Sequence, residues 1–286
     1  MENIKQHYVP QFYLKNFSKD EKSIYCYDKV KRKSYSQNIK NIAQGKYFYG
    51  KDLILEKNLG YLERWGSKYI NKLIETHDLN FFSNIETKKV FADFITYQFF
   101  RTEEIRKTFE EYKTKNPNFL KNENSINDYF NDMLKTSFLF DISDKIIFRK
   151  KWVLLINKTK LEFCTSDNPV VFFSSSDNYA LNAEYVQIYF PISTNLCICL
   201  LDPYHFYNFN VPKEFNEKQV FNNINKPSKY ILEEQLDVEM INYLEADQST
   251  RHIFSKTNNF KWVNKLFKDG VLVNPKDKTR FKKVYY

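Results

Sequence analysis

The chain has 286 residues, of which 42% are hydrophobic and 18% are aromatic. This composition excludes an intrinsically disordered protein, because disordered chains are poor in the aromatic side chains that build a core. The chain contains only 5 glycines and neither a GxGxxG nor a GxxxxGKS/T motif. The usual dinucleotide-binding and P-loop sites are therefore excluded as well.

The cysteines indicate a reducing compartment. Cys26, Cys164, Cys197 and Cys199 form no CxxC pair and have no zinc-type spacing to a histidine, so we expect free, buried thiols and neither a metal nor another cofactor. The amino terminus has no apolar signal region, and no segment approaches the length of a spanning helix. We expect a cytoplasmic protein without a membrane partner.

The formal net charge of +9 is concentrated at the carboxy terminus. Residues 256–286 contain nine Lys or Arg and two Asp, with aromatic residues between the cations. Such a segment could neutralise phosphates and stack bases, or it could be a solvated tail. Under the first interpretation the candidate substrate-binding cations are Lys278, Arg280, Lys282 and Lys283.

The first half of the chain has mainly helical patterns. Alternating residues predict a hairpin near 23–36, and apolar residues at three- and four-residue intervals predict a helix over 58–76. A capping-box pair, Ser83 and Glu86, predicts the start of one long helix that continues to about Tyr112. A third helix is expected to begin at Ser125.

After Asp144 the pattern changes to short apolar runs typical of strands, at 151–157, 161–165, 168–176, 186–193 and 195–201. The first two runs are expected to form a hairpin closed by residues 158–160. Helical spacing returns over 231–247.

Because helices and strands are segregated, we expect an α+β fold with a helical bundle packed on a small, largely antiparallel sheet. We expect one domain, with a helical part to about residue 144, a sheet part over about 145–205 and a helical, basic part thereafter.

The first candidate cluster lies in the opening HYVPQFYLKNF. His7, Tyr8 and Gln11 flank Pro10, which restricts the backbone of the residue before it. This rigid segment could present an imidazole and an amide together. Alternatively, its aromatic residues simply dock the amino terminus onto the helices.

The second cluster lies within the predicted long helix. Gln98 precedes Arg101 by three residues and Thr102 by four, so the three side chains can share one face. A guanidinium on a largely apolar helix needs an acidic partner or an anionic ligand. The sequence leaves both a salt bridge and a substrate phosphate open.

The third cluster is TSDNPV, between two predicted strands. Asp167 and Asn168 favour an Asx-type turn. A strand end can also fix an exposed carboxylate that acts as a general base. Both interpretations stay open from the spacing.

Together these clusters resemble the domain of unknown function 4238 family over nearly the whole chain. The matching segments are HYVP-x-FYL from His7, Q-x-x-R-T at 98–102, W-x-L-L at 152–155, TSDNP at 165–169 and FPIS at 190–193. The resemblance implies a bacterial, cytosolic protein, and some members are similar to single-gene antiviral defence systems. It also implies that the three polar clusters converge on one functional site.

We therefore expect an anti-phage effector that acts on nucleic acid, with RNA favoured over DNA, most simply as an RNA-cleaving enzyme. In this hypothesis His7 and Asp167 are the general acid and base, and Arg101 stabilises the phosphorane charge. The expected substrate-binding residues are the four tail cations together with Tyr8, Gln11, Gln98, Thr102 and Asn168. Asp167 is the only strong candidate for a metal-binding carboxylate, which favours a metal-free mechanism.

The alternative hypothesis is a non-enzymatic sensor or interaction module. In it Gln11, Gln98, Arg101 and Asn168 recognise a phage component or a small anion. A phage protein would then trigger activation of the module.

Overall fold

The computed structural model describes residues 5–51, 53–116, 126–148, 150–174, 186–202 and 228–278. Within these ranges the chain forms helices and three sheets, and most of the strand pairs are antiparallel. The expected α+β class is confirmed. No helix in the described ranges has both the length and the apolar character that crossing a membrane requires.

The amino-terminal part contributes two strand pairs. Strand β1 (Lys5–His7) pairs antiparallel with β4 (Gln44–Lys46), and the short helix α1 (Gln11–Lys15) follows β1. The predicted hairpin is confirmed as β2 (Ser23–Asp28) and β3 (Lys33–Asn38).

The described residues that follow form the α-helices α2 (Ile54–Thr76), α3 (Ile85–Phe100), α4 (Glu103–Lys115), α5 (Ile126–Lys135) and α6 (Phe138–Ile142). The helix predicted over 58–76 is confirmed and begins four residues earlier than expected. The third predicted helix is α5, and Ser125 itself lies outside the described residues.

The prediction of one long helix over 83–112 is wrong, because the chain turns between α3 and α4. Thr102 has extended backbone angles (φ −83°, ψ 160°), and its hydroxyl contacts the Phe99 carbonyl at 3.2 Å and Asn168 Oδ1 at 3.0 Å. The helical pattern continues in the sequence, but these contacts stabilise a corner. The cap also differs, since Asn84 and not Ser83 accepts the Thr87 N–H.

The largest sheet has the strand order β10-β5-β9-β8-β7. Its strands are β5 (Lys151–Asn157), β7 (Val171–Ser174), β8 (Val186–Ser193), β9 (Leu196–Leu201) and β10 (Ser228–Leu232). Strand β5 pairs antiparallel with β9 and parallel with β10.

The predicted hairpin between 151–157 and 161–165 is wrong. All seven residues of β5 are buried, which is typical of a central strand with partners on both sides. Of the second run only Thr165 enters a strand, β6 (Thr165–Ser166), and β6 belongs to a different sheet.

That second sheet has the order β3-β2-β11-β6 and joins the two ends of the chain. Strand β11 (His252–Ser255) lies between β2 and β6. It follows helix α7 (Gln235–Gln248) and precedes helix α8 (Lys261–Lys268). The helix predicted over 231–247 is α7, which begins four residues later than expected. The sequence patterns did not predict β10 or β11.

One buried apolar cluster includes side chains of α1, α2, α3 and the five-stranded sheet, and a smaller cluster lies under α8. The four-stranded sheet brings the end of α7 against the turn after β6. This arrangement places polar segments from distant parts of the sequence next to one another.

Candidate functional site

The structure joins the polar clusters in one buried network, which we call the polar junction. Its members are Gln98, Arg101 and Thr102 at the α3–α4 corner, and Asp167 and Asn168 after β6. At most 3% of each of these residues is exposed. A ligand therefore cannot touch most of the atoms of these side chains.

The guanidinium of Arg101 organises the corner. Its Nε donates to Gln98 Oε1 at 3.0 Å, and one terminal nitrogen donates to Glu63 Oε1 on α2 at 2.8 Å. The amide nitrogen of Gln98 in turn donates to the carbonyl of Tyr8 at 3.1 Å. Nη2 of Arg101 is buried, and no described residue lies within hydrogen-bond range of it.

Asn168 connects this corner to α7. Its Oδ1 accepts the Thr102 hydroxyl at 3.0 Å, and its Nδ2 donates to the carbonyl of Gln248 at 3.2 Å. Ser166, two residues earlier, donates to Glu245 Oε2 at 2.6 Å and accepts the Asn168 N–H. The TSDNP turn is therefore bound on both sides by side chains from distant segments.

Asp167 binds the loop between α7 and β11. Its carboxylate accepts backbone N–H groups from Thr250, Arg251 and His252 at 2.8 to 2.9 Å. Burial acts to raise the pKa of this carboxyl, but hydrogen bonds and the nearby His252 imidazole outweigh burial and lower the pKa. Asp167 is therefore an ionised carboxylate held by amides, which favours a positioning role over direct proton transfer.

The same loop is also held from the turn that follows β2. Lys29 is buried and its amine donates to the carbonyls of Ala246 and Ser249 at 2.6 and 2.8 Å, where α7 ends. Burial lowers the pKa of this amine to about 8. Cations near helix carboxy termini stabilise the unpaired carbonyls there, so Lys29 fixes the start of the loop.

The exposed edge of the junction carries a histidine between two carboxylates. His252 Nδ1 lies 3.6 Å from Asp167 Oδ2, and its Nε2 lies 3.9 Å from Asp28 Oδ2. Arg251 donates to both oxygens of Asp28 at 3.1 and 2.6 Å. The side chains of Arg251 and His252 are 41% and 24% exposed, whereas those of both aspartates are 1% exposed. Solvent therefore reaches the imidazole and the guanidinium but not their acidic partners.

A cleft of about 460 Å³ lies beside Tyr8. Its walls include Phe48, Glu103, Arg106 and Lys107. The Tyr8 hydroxyl donates to Glu103 Oε2 at 3.3 Å, and the Arg106 guanidinium lies 3.8 Å from the centre of the Phe48 ring. The cleft thus presents two cations and two carboxylates, Glu103 and Glu110, and Lys107 is paired with Glu103 at 2.7 Å.

Electrostatic effects link this cleft to the junction. Burial raises the pKa of Tyr8 well above its usual range, and the charges of Asp167 and Glu103 add to the shift. The hydrogen bonds to Asp28 raise the pKa of Arg251, and Glu103 contributes to that shift too. The charge of Glu103 therefore acts on both Tyr8 in the cleft and Arg251 at the junction.

The charges of Glu63 and Arg101 act on His7, but the environment of His7 differs from that of a reactive acid. Burial lowers the pKa of its imidazole, with a smaller opposing effect from Glu63. Its Nε2 is buried without a hydrogen-bond partner among the described residues. Gln11 begins α1 and is half-buried.

The described part of the predicted basic tail is bound to the protein. Lys278 Nζ donates to the Asp247 carbonyl at 2.8 Å and lies 3.1 Å from Glu104 Oε1. Its neighbours Arg280, Lys282 and Lys283 lie outside the described residues. Whether the tail binds nucleic acid stays a prediction.

The sequence analysis did not include Asp28, Glu63, Arg251 or His252 among the candidate site residues. Asp28 ends a hairpin strand and Glu63 lies on an amphipathic helix, so neither stands out from its surroundings. The adjacent Arg251 and His252 after α7 were a usable signal, since the polar TRH sequence interrupts two structured segments. Among the described residues, no group of three or more His, Cys, Asp or Glu side chains could hold a metal ion.

Comparison with known proteins gives a family. No curated protein and no solved structure matches the chain. A family model with the description "Protein of unknown function (DUF4238)" matches residues 5–259, and this match includes the polar junction, Arg251 and His252. The chain therefore belongs to the DUF4238 family.

Proposed function

We propose that the protein is an RNA-cleaving effector of bacterial antiviral defence, in which His252 transfers protons and Arg251 binds the phosphate. One observation carries the chemical part of the proposal: a partly exposed imidazole lies between two buried carboxylates, beside a partly exposed guanidinium. The antiviral context comes from the family resemblance alone.

The reaction would be an internal transesterification. Imidazole can accept and donate a proton near neutral pH. His252 would remove the proton from a ribose 2′-hydroxyl, and the 2′-oxygen would attack the adjacent phosphorus. The 5′-oxygen of the next nucleotide would leave with the proton returned by His252. The products are a 2′,3′-cyclic phosphate and a free 5′-hydroxyl.

The carboxylates would support this step without touching the substrate. Asp167 faces Nδ1 and would stabilise the imidazolium that forms when His252 is protonated. Asp28 holds Arg251 through two hydrogen bonds and so fixes a planar cation that can stabilise phosphorane charge. The proposal thus moves proton transfer from the expected pair His7 and Asp167 to His252, and phosphate stabilisation from Arg101 to Arg251.

The test is cleavage of labelled RNA by the purified full chain, with and without a chelator. His252→Gln should abolish cleavage, whereas the matched variant His77→Gln, at the end of α2, should keep full activity. Wild-type products should carry 2′,3′-cyclic phosphate ends. Full activity of His252→Gln would overturn the assignment, and activity that requires a divalent ion would overturn the metal-free mechanism.

A second candidate function is a non-enzymatic recognition module. The cleft beside Tyr8 favours it, because this concave surface has a size suited to a small ligand and is lined by Arg106 and Lys107 together with Glu103 and Glu110. In this case the protein would bind an anionic phage component without converting it. Binding of a phosphorylated ligand that Arg106→Gln weakens, with no RNA cleavage by the wild-type protein, would favour this function.

A further inference from the structure

A surface outside the site is suited to nucleic acid. Helix α2 packs its apolar side against the core, and its opposite side presents cations and aromatic rings along one line. We call this line the α2 stripe, and it consists of Lys57, Tyr61, Arg64, Trp65, Lys68 and Lys72. All six are exposed, with 56% of Tyr61 and 41% of Trp65 accessible to solvent.

The members of the α2 stripe are coupled in pairs. The Arg64 guanidinium lies 5.6 Å from the Tyr61 ring centre, and the Lys68 amine lies 4.8 Å from that of Trp65. Trp65 also stacks on Tyr69 at 5.8 Å, which fixes the indole against the helix. The rings are therefore held in place at the surface, with positive charge beside them.

The charge of the stripe has one sign. Between Lys57 and Lys72, a part of α2 that the structure describes throughout, no acidic residue is exposed, and Glu75 follows only at the end of the helix. The half-buried Glu63 is paired with Arg101. Over the 15 residue steps from Lys57 to Lys72, four cations span about 22 Å of helix axis.

We infer that the α2 stripe binds single-stranded RNA. Cations that follow a backbone, together with aromatic rings on which bases stack, are the two components of sequence-tolerant single-strand binding. Unpaired bases are needed for stacking, which favours a single strand over a duplex. This inference rests on the proposed function and deepens it, since it names the surface that would hold the RNA substrate.

The experiment measures anisotropy of a labelled oligouridylate with the full chain. Trp65→Ala should weaken binding about tenfold, and Trp65→Phe should restore most of it, because an aromatic ring suffices for stacking. Lys68→Gln with Lys72→Gln should make the slope of log affinity against log salt less steep by about 1.4. Matched controls are Tyr230→Ala, another exposed aromatic residue, and Lys19→Gln with Lys22→Gln, another exposed pair of lysines.

The outcomes separate this inference from the proposed function. Stripe-dependent binding without cleavage would support the α2 stripe and contradict the enzyme. If the wild-type protein cleaves RNA, and Trp65→Ala and the Lys68→Gln, Lys72→Gln variant bind RNA as tightly as the wild type, the inference about the α2 stripe is overturned and the proposed enzyme is not. The inference would also be overturned if the control variants weakened RNA binding as much as the stripe variants, or if polyglutamate competed as well as unlabelled RNA. Either result would show general charge attraction.

Discussion

Asp167 lies close to His252 at two points, since its Oδ2 accepts the backbone N–H of His252 at 2.8 Å and lies 3.6 Å from Nδ1 of the same residue. One carboxylate thus fixes both the position of the loop and the environment of the imidazole. Because Thr250 and Arg251 also donate to Asp167, the loop has one geometry when the carboxylate is ionised. The structural and the proposed chemical roles of Asp167 therefore cannot be separated by removing its side chain.

Asp167→Asn should destabilise the fold by about 2 to 4 kcal/mol at neutral pH. An Asn side chain keeps one acceptor oxygen but turns an NH₂ group toward backbone N–H groups, which leaves buried donors unpaired. Because the pKa of Asp167 is lowered in the folded state, its contribution is present above the ordinary pKa of aspartate. It is lost as the pH falls through the lowered value. Chemical denaturation measures both effects.

Asp20→Asn is the matched control for this change. Asp20 also accepts two backbone N–H groups, from Lys22 and Ser23, but it is exposed. Water can satisfy the donors there, so we expect a clearly smaller loss of stability than for Asp167→Asn. Equal losses for the two variants would contradict the assigned importance of burial at Asp167.

Two glycines on α2 should respond to alanine in opposite directions. A Cβ at Gly66 would lie 2.6 Å from the ring of Phe94, which is buried, whereas a Cβ at Gly60 would meet no atom within 4 Å. Gly60→Ala should stabilise the protein by about 1 kcal/mol through helix propensity. Gly66→Ala should destabilise it by about 1 to 3 kcal/mol, because the core is overpacked.

Thermal unfolding of the two variants side by side tests this prediction. A stabilising Gly66→Ala would show that α2 and α3 can separate without cost at this point.

His7 should make stability depend on pH. Burial lowers the pKa of its imidazole in the folded state, so the unfolded chain binds the proton more readily. The stability from neutral His7 is present above the ordinary pKa of histidine and is lost as the pH falls through the lowered folded value. As the pH is lowered, the free energy of unfolding of His7→Gln should fall less than that of the wild type. Equal pH dependence in the two proteins would contradict the assigned role of His7.

The sequence predicted those parts of the fold whose partners are local. The hairpin of β2 and β3 and the helix α2 follow directly from residue periodicity. The corner at Thr102 was missed because it depends on Asn168, 66 residues away. Strand β11 was missed for a similar reason, since it is stabilised between β2 and β6 and has little pattern of its own.

The sequence identified several residues that the structure brings together, but it did not predict how buried they are. Gln98, Arg101 and Asp167 do lie in one network, which a packing argument from spacing alone would not give. Their burial, however, could not be read from the sequence, because polar residues are usually exposed. Arg251 and His252, whose side chains reach solvent, lie opposite the predicted turn only because the four-stranded sheet joins the two ends of the chain.

Glu245→Gln should stabilise the protein increasingly as the pH rises. Glu245 is completely buried, and its Oε2 accepts the Ser166 hydroxyl. Burial raises the pKa of this carboxyl well above its usual range, and the charge of Asp167 adds to the shift. Folding must therefore take up a proton at neutral pH, and the free energy of unfolding falls as the pH rises above the ordinary pKa of glutamate.

Glutamine has no proton to take up, so its contribution is independent of pH. Its amide oxygen can still accept the Ser166 hydroxyl, and any cost of burying its NH₂ group is the same at every pH. The difference in unfolding free energy between Glu245→Gln and the wild type should therefore increase from about pH 5 to about pH 8. Glu239→Gln, at an exposed position of the same helix, should show no such trend. A constant difference for Glu245→Gln would mean that Glu245 is ionised in the folded protein, with the Ser166 hydroxyl and water compensating its charge.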